Sequence, residues 1–167
     1  MAAIVDVLAH TVNGDGPPLL LLNGGLMSYP AWEPLAGPIA AACRLVRCDF
    51  RGQLLSPGPA PATLDARLSA YLEAADPVVR AVRPAVLQPA SDYNNALVGI
   101  ELGRRHGIPV VYEVRGFWED TWLSRYPDAA ERATSELYQR NRELETRCML
   151  AADLVVTLGE AMREEIA

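Results

Sequence analysis

Covalent catalysis by a hydroxyl or thiol needs a base in hydrogen-bond reach and a third group to orient it. The sequence offers one hydroxyl in a suitable setting. Ser91, in "LQPASDYNNA" (residues 87–96), follows an apolar run and precedes a helical stretch, so it falls at a strand-to-helix turn. Such a turn holds its nucleophile in a strained backbone and needs small residues two positions before and after it. Here those positions are Pro89 and Tyr93, and the chain contains no Gly-x-Ser-x-Gly pentapeptide. Two imidazoles exist, His10 and His106. His106 closes the helix that starts near Ser91, which puts it ~20 Å from the hydroxyl. His10 lies near the end of a strand running against its neighbour, which assigns it to the same far edge. The expectation is no catalytic residue, with Ser91 serving as a helix cap.

A second chemistry is ligand binding. In parallel α/β sheets ligands sit beyond the carboxyl ends of the strands. Asn23, Gly24, Gly25, Ser91, Asp92, Asn94, Arg115, Trp118 and Glu119 all follow apolar runs and are expected along that rim. Arg115 and the turn amides near Gly24 and Gly25 suit an anion such as phosphate. The competing reading pairs Arg115 with Glu113 or Glu119 and leaves Phe117, Trp118 and Trp122 to pack a loop. Cys43, Cys48 and Cys148 show no Cys-x-x-Cys spacing. Neither a metal site nor a disulfide framework is expected, and no cofactor.

The elements that must position these groups are six apolar runs, at 4–12, 18–23, 44–50, 85–90, 109–114 and 153–158. Asn13-Gly14-Asp15-Gly16 between the first two is a hairpin signal. From the second run onward, strands alternate with helical stretches, which implies right-handed crossovers and a parallel sheet covered on both faces. The expected fold is a single Rossmann-like three-layer αβα domain over residues 1–167. Its sheet is mostly parallel, of about six strands, with an N-terminal antiparallel hairpin strand. Gly107 followed by Pro109 stops the helix after Ser91. The longest helix is expected after Pro127, with Ala133, Leu137, Leu144, Cys148 and Ala151 as its apolar stripe. Asp128–Arg132, Glu136–Arg140 and Glu143–Arg147 stand one turn apart on its solvated face.

Composition changes near residue 62. Residues 1–62 hold 7 charged residues and 8 of the 13 prolines, whereas 63–167 hold 29 charged residues and 5 prolines. Leu64, Leu68, Leu72, Ala75, Val79 and Val82 nevertheless keep a helical stripe past the seam, with Asp76-Pro77 read as a restart of the helix. A formal charge of −6 argues against a nucleic-acid or anionic-membrane surface. The N-terminus has no signal-peptide pattern and no run is long enough to span a bilayer. A reducing cytoplasm fits best.

Two resemblances follow from these stretches. "GDGPPLLLLNGGLMSYPAWEPLAGPIAAACRLVRCDFRGQLLSPGP" (14–59) resembles the start of an α/β-hydrolase, with Asn23-Gly24-Gly25 in the place of that family's oxyanion turn. "DFRGQLLS" (49–56) is similar to its Asp-x-Arg-Gly-His-Gly-x-Ser loop, with Gln53 and Leu54 replacing His and Gly. From about residue 64, "RPAVLQPASDYNNALVGIELGRRHGIPVVYEVRGFWEDTWLSR" (83–125) and "ELETRCMLAADLVVTLGEAMREEI" (143–166) resemble the first domain of family-four glycosyltransferases. In that family the first domain shapes the acceptor side of the cleft and a second carries most of the sugar-nucleotide site. The reading that joins them is a chimera: residues 1–62 hydrolase-like, residues 63–167 glycosyltransferase-like. No complete active site and no efficient turnover are expected. The alternatives are an acceptor-side domain that needs a sugar-nucleotide domain, and a residual esterase using Ser91 or Ser56. The candidate ligand is a phosphate or sugar nucleotide. Self-association through the surface facing an absent second domain is the candidate protein contact.

Overall fold

The computed structural model describes residues 8–22, 28–49, 55 and 63–167. Each apolar run becomes a strand: β1 (His10–Asn13), β2 (Pro18–Leu22), β3 (Arg44–Cys48), β4 (Val86–Ser91), β5 (Val111–Val114) and β6 (Leu154–Thr157). They form one six-stranded sheet in the order β1-β3-β2-β4-β5-β6. Only the β1–β3 pair is antiparallel. Counted alone, the five parallel strands run 2-1-3-4-5, a doubly wound order whose direction reverses between β2 and β4. That reversal opens a crevice beyond the carboxyl ends of those two strands.

The antiparallel strand is present, but its partner differs from the hairpin expected of Asn13-Gly14-Asp15-Gly16. β1 pairs with β3, with His10 opposite Cys48 and Asn13 opposite Leu45. The glycines serve a close approach instead of a two-residue turn. A Cβ on Gly14 would lie 2.3 Å from the carbonyl oxygens of Ala40 and Cys43, and one on Gly16 2.6 Å from that of Ala42. The link from β1 to β2 therefore runs backbone against backbone over the turn that leads into β3, and β3 takes the place between them.

Seven helices flank the sheet among the described residues: α1 (Glu33–Ala40), α2 (Leu64–Val82), α3 (Tyr93–His106), α4 (Trp118–Leu123), α5 (Ala129–Arg132), α6 (Glu136–Ala151) and α7 (Glu160–Ile166). A 3-10 turn (Tyr29–Trp32) leads into α1. One face buries Leu20, Leu22, Val46, Cys48 and Leu87 under α2 and α3. The other buries Leu21 and Leu45 under Trp32 and Ala36. This division follows the alternation of side chains along each strand. A third cluster joins Ala96 of α3, Tyr112 and Val114 of β5, and Cys148 of α6.

Two helices differ from the sequence expectation. The longest is α2, 19 residues, capped by the Thr63 hydroxyl accepting from Ala66 N–H, and it passes through Pro77 without restarting. Asp76 is not a cap; it receives Arg80 and His106. Beyond Pro127 the helix is broken in two, because the Ser135 side chain caps a fresh start at Glu136 by accepting from Tyr138 N–H. In α6 the buried residues are Tyr138, Glu145 and Cys148, while Leu137 is 53% exposed and Ala151 is also exposed. The buried face is thus turned by about one residue from the apolar stripe, toward two polar side chains with partners inside. Of the three expected ion pairs, Asp128–Arg132 closes at 2.8 Å.

Candidate functional site

β4 delivers Ser91 to the rim with φ +95°. Only one other non-glycine described residue has positive φ, and for a β-carbon residue such backbone is strained. Bulk at Pro89 is accommodated because α3 carries Gly99 over it, where a Cβ would lie 2.7 Å from Pro89 Cγ. The cap of α3 is Asp92, not Ser91: its Oδ1 accepts from the N–H groups of Asn94 and Asn95 at 3.1 and 3.4 Å. A serine at φ +95° is outside the extended region that a capping residue adopts, whereas Asp92 sits at φ −141°.

The remaining first-turn donor is closed from across the fold. Glu145 of α6 is 4% exposed; its Oε1 accepts from Tyr93 N–H at 2.8 Å and its Oε2 from the Tyr112 hydroxyl at 2.6 Å. Burial pushes its carboxyl up to about 7, only partly offset by those two donors. Burial also raises Asp92, against the pull of its bonds to Asn94 and Asn95, and lifts the neighbouring Cys148 thiol to about 12. The amino end of α3 is thus filled by the protein's own carboxylates.

Ser91 pairs with Val114 in register, so Arg115 emerges beside it. Ser91, Arg115, Gly116, Trp118 and Thr121 line a cleft of about 150 Å³. Arg115 Nε donates to Glu113 Oε1 at 2.8 Å, Gln88 Nε2 donates to the other oxygen of Glu113 at 2.8 Å, and the guanidinium lies 4.4 Å over the Trp32 ring. The Ser91 hydroxyl makes no hydrogen bond to the described residues. Trp118 is 40% exposed at the mouth. Phe117 packs into the third core cluster and Trp122 against Tyr126, with ring centres 5.2 Å apart.

Of the nine rim candidates, Ser91, Arg115 and Trp118 come together in this cleft. Asp92 is turned to its own helix, and Asn94 Oδ1 accepts from Arg67 Nη1 at 3.3 Å. Glu119 is 5% exposed with a buried, unpartnered Oε2, and burial raises its carboxyl. Asn23, Gly24 and Gly25 lie outside the described residues, as do Gln53, Leu54 and Ser56. Sequence reasoning missed Glu145, which falls among polar neighbours on an amphipathic helix and carries no local mark. It also missed Trp32 and Thr121.

Neither histidine reaches Ser91. His106 Nε2 lies 2.8 Å from Asp76 Oδ1 at the far end of α3. His10 corrects the sequence expectation: it begins β1 opposite Cys48, at the same rim as Ser91. It stands three strands from β4, roughly 14 Å at ordinary strand spacing, and its Nδ1 is 2.9 Å from Leu8 O. Among the described residues no cluster of His, Cys, Asp or Glu has the makings of a metal site, and no helix is long and apolar enough to cross a membrane. The arrangement can bind a small group through a hydroxyl, an indole and a compensated guanidinium; among the described residues no histidine stands beside Ser91.

Residues 4–167 match the family described as glycosyl transferase 4-like domain. No curated protein sequence matches the chain. Among solved structures, an α/β hydrolase from Sphaerobacter thermophilus shares 16% identity and a TM-score of 0.57, over 96% of this chain and 84% of that one. E-2-(acetamidomethylene)succinate hydrolase has 16% identity and a TM-score of 0.56, over 90% of this chain and 75% of its own. A UDP-N-acetylglucosamine 2-epimerase from Listeria monocytogenes, described as putative, has 12% identity and a TM-score of 0.56, over 91% of this chain. The chain spans 41% of the epimerase and 51% of an N-acyl homoserine lactone degrading enzyme, Est816. At these identities the likeness is one of fold. It joins a glycosyltransferase-type sequence to a strand arrangement that hydrolases share.

Proposed function

The chain belongs to the glycosyl transferase 4-like domain family, and from that premise we propose that it serves the acceptor side of glycosyl transfer. One observation carries the reading: the cleft of Ser91, Arg115, Gly116, Trp118 and Thr121 opens beyond the carboxyl ends of β4 and β5, beside the reversal point of the sheet. In this reading the described residues do not complete a transferase site by themselves, and a sugar-nucleotide-binding unit, on this protein or another, supplies the donor. Cleft size supports the division, since about 150 Å³ is well below the space a nucleotide-sized ligand fills.

The test is an amide-resolved NMR titration of the protein with a panel of monosaccharides, methyl glycosides and sugar phosphates. Shifts confined to Ser91 and to residues 115–121 are expected. Absence of any shift across the panel at tens of millimolar would end the proposal.

The two-part ancestry, residues 1–62 hydrolase-like and 63–167 glycosyltransferase-like in one domain, is a second reading, supported by the hydrolases among the similar folds. A residual esterase at Ser91 would demand a base that His10 and His106, as positioned, do not bring to it, so a fluorophosphonate probe is expected to leave Ser91 unlabelled. Self-association is the accompanying proposal for Leu150, Leu154 and Leu158, which are 82%, 55% and 66% exposed. A monomeric elution at every concentration in size-exclusion chromatography would remove it.

A further inference from the structure

We infer that the Ser91 hydroxyl is the specificity contact of this cleft and that the group it receives is a neutral, hydroxyl-bearing ring, a sugar without phosphate. The inference rests on the acceptor-side reading and adds both the chemical class of the ligand and the residue that reads it.

Four observations point the same way. First, the helix end that would bind an anion is filled. The amides of Tyr93, Asn94 and Asn95 are held by Glu145 and Asp92, so the amino end of α3 has no donors left to offer a phosphate. Second, the cation of the cleft is compensated. Arg115 is bound to Glu113 and stacked on Trp32. A guanidinium already paired with a carboxylate offers an anion less attraction than a lone one would. Third, the remaining chemistry is that of sugar recognition. Trp118 offers an exposed indole and Ser91 a hydroxyl with no protein partner among the described residues. Thr121 adds an oxygen that donates to Phe117 O and keeps its acceptor capacity. Fourth, the cleft is small, about 150 Å³, below the usual range for drug-sized ligands and suited to a single ring.

The backbone of Ser91 ties these together. Its φ of +95° is one that glycine adopts freely and serine does not. A residue chosen for stability alone at this turn would be glycine. Serine keeps the strained conformation and contributes a hydroxyl at the cleft. Strain retained at a lining residue with an unused donor is the mark of a group held for a ligand.

The experiment compares wild type with Ser91→Gly and Ser91→Ala, each titrated by NMR with methyl α-glucopyranoside, methyl α-mannopyranoside and inorganic phosphate, with melting temperature measured in parallel. The expected result is that the better methyl glycoside shifts the amides of residues 115–121 in wild type and binds about tenfold more weakly to both variants. Ser91→Gly, relieved of its strain, melts at or above wild type, so its loss of binding is not a loss of fold. Equal affinity in all three proteins overturns the role of Ser91 while leaving the acceptor-side reading standing. Phosphate shifting the same amides at lower concentration than either glycoside overturns the neutral-ligand class. No binding of any sugar or sugar phosphate to wild type overturns the acceptor-side reading itself.

Discussion

The two ends of α3 are built on opposite plans. Its carboxyl end is ordinary: Gly107 at φ +65° terminates it, Arg104 and Arg105 pair with Glu101, and His106 meets Asp76 across to α2. Positive side chains stand where the helix dipole is negative, and every charge has water or a partner beside it. The amino end gathers a strained serine, a half-buried Asp92 and, from α6, the buried Glu145. Negative groups suit that end of the dipole too, but here they are withdrawn from water at a cost. Costs of this kind persist where the arrangement serves something besides stability.

Removing Glu145 tests the contrast hardest. Glu145→Ala strands the Tyr93 N–H and the Tyr112 hydroxyl in the core, a loss of about 3 kcal/mol and a fall in melting temperature of roughly 6–12 °C for a chain of this size. An unchanged melting temperature would show that the amino end does not depend on that carboxylate. The next effect is a dependence on pH. Because the folded Glu145 carboxyl is raised from 4.5 to about 7, the folded state holds its proton more tightly than the unfolded chain does. This group's stabilising contribution is complete below 4.5 and is lost as pH rises through about 7. Thermal melts from acid to neutral pH should therefore show stability declining, with Asp92 adding in the same direction. Glu145→Gln should flatten the slope, and an equally steep slope in that variant would assign it elsewhere.

Smaller still is the effect expected at the ordinary end. Gly107 has nothing within 4 Å of where a Cβ would stand, so Gly107→Ala tests backbone conformation alone and should cost about 1 kcal/mol. Removing the exposed Arg104 guanidinium should leave the melting curve where it is. A larger loss at Gly107 than at Glu145 would reverse the comparison.

All six strands could be read from their apolar runs, and the end of α3 from Gly107 and Pro109, because these signals are local. The partner of β1 was not legible: Asn-Gly-Asp-Gly permits a hairpin, and only the closeness of Gly14 and Gly16 to the turn after α1 decides against it. The buried face of α6 was not legible either, since periodicity ranks Leu137 above Glu145, whereas a carboxylate with two partners on other elements can be buried while Leu137 stays half exposed. At the site, Ser91, Arg115 and Trp118 were named from their place after strands. The strain of Ser91 and the neutralisation of Arg115 by Glu113 and Trp32 depend on how those strands are laid side by side.

One residue within the sheet has a mechanical meaning. Leu87 N–H reaches across to Pro109 O, toward β5; two positions on, Pro89 faces the same way and has no hydrogen to give. The ladder is bridged at Leu87–Val110 and taken up again at Ala90–Glu113, leaving a missing rung between. Pulled apart or warmed, the sheet has its crease there, with β1, β2 and β3 on one leaf, β5 and β6 on the other, and the mouth of the cleft at the end of the fold line.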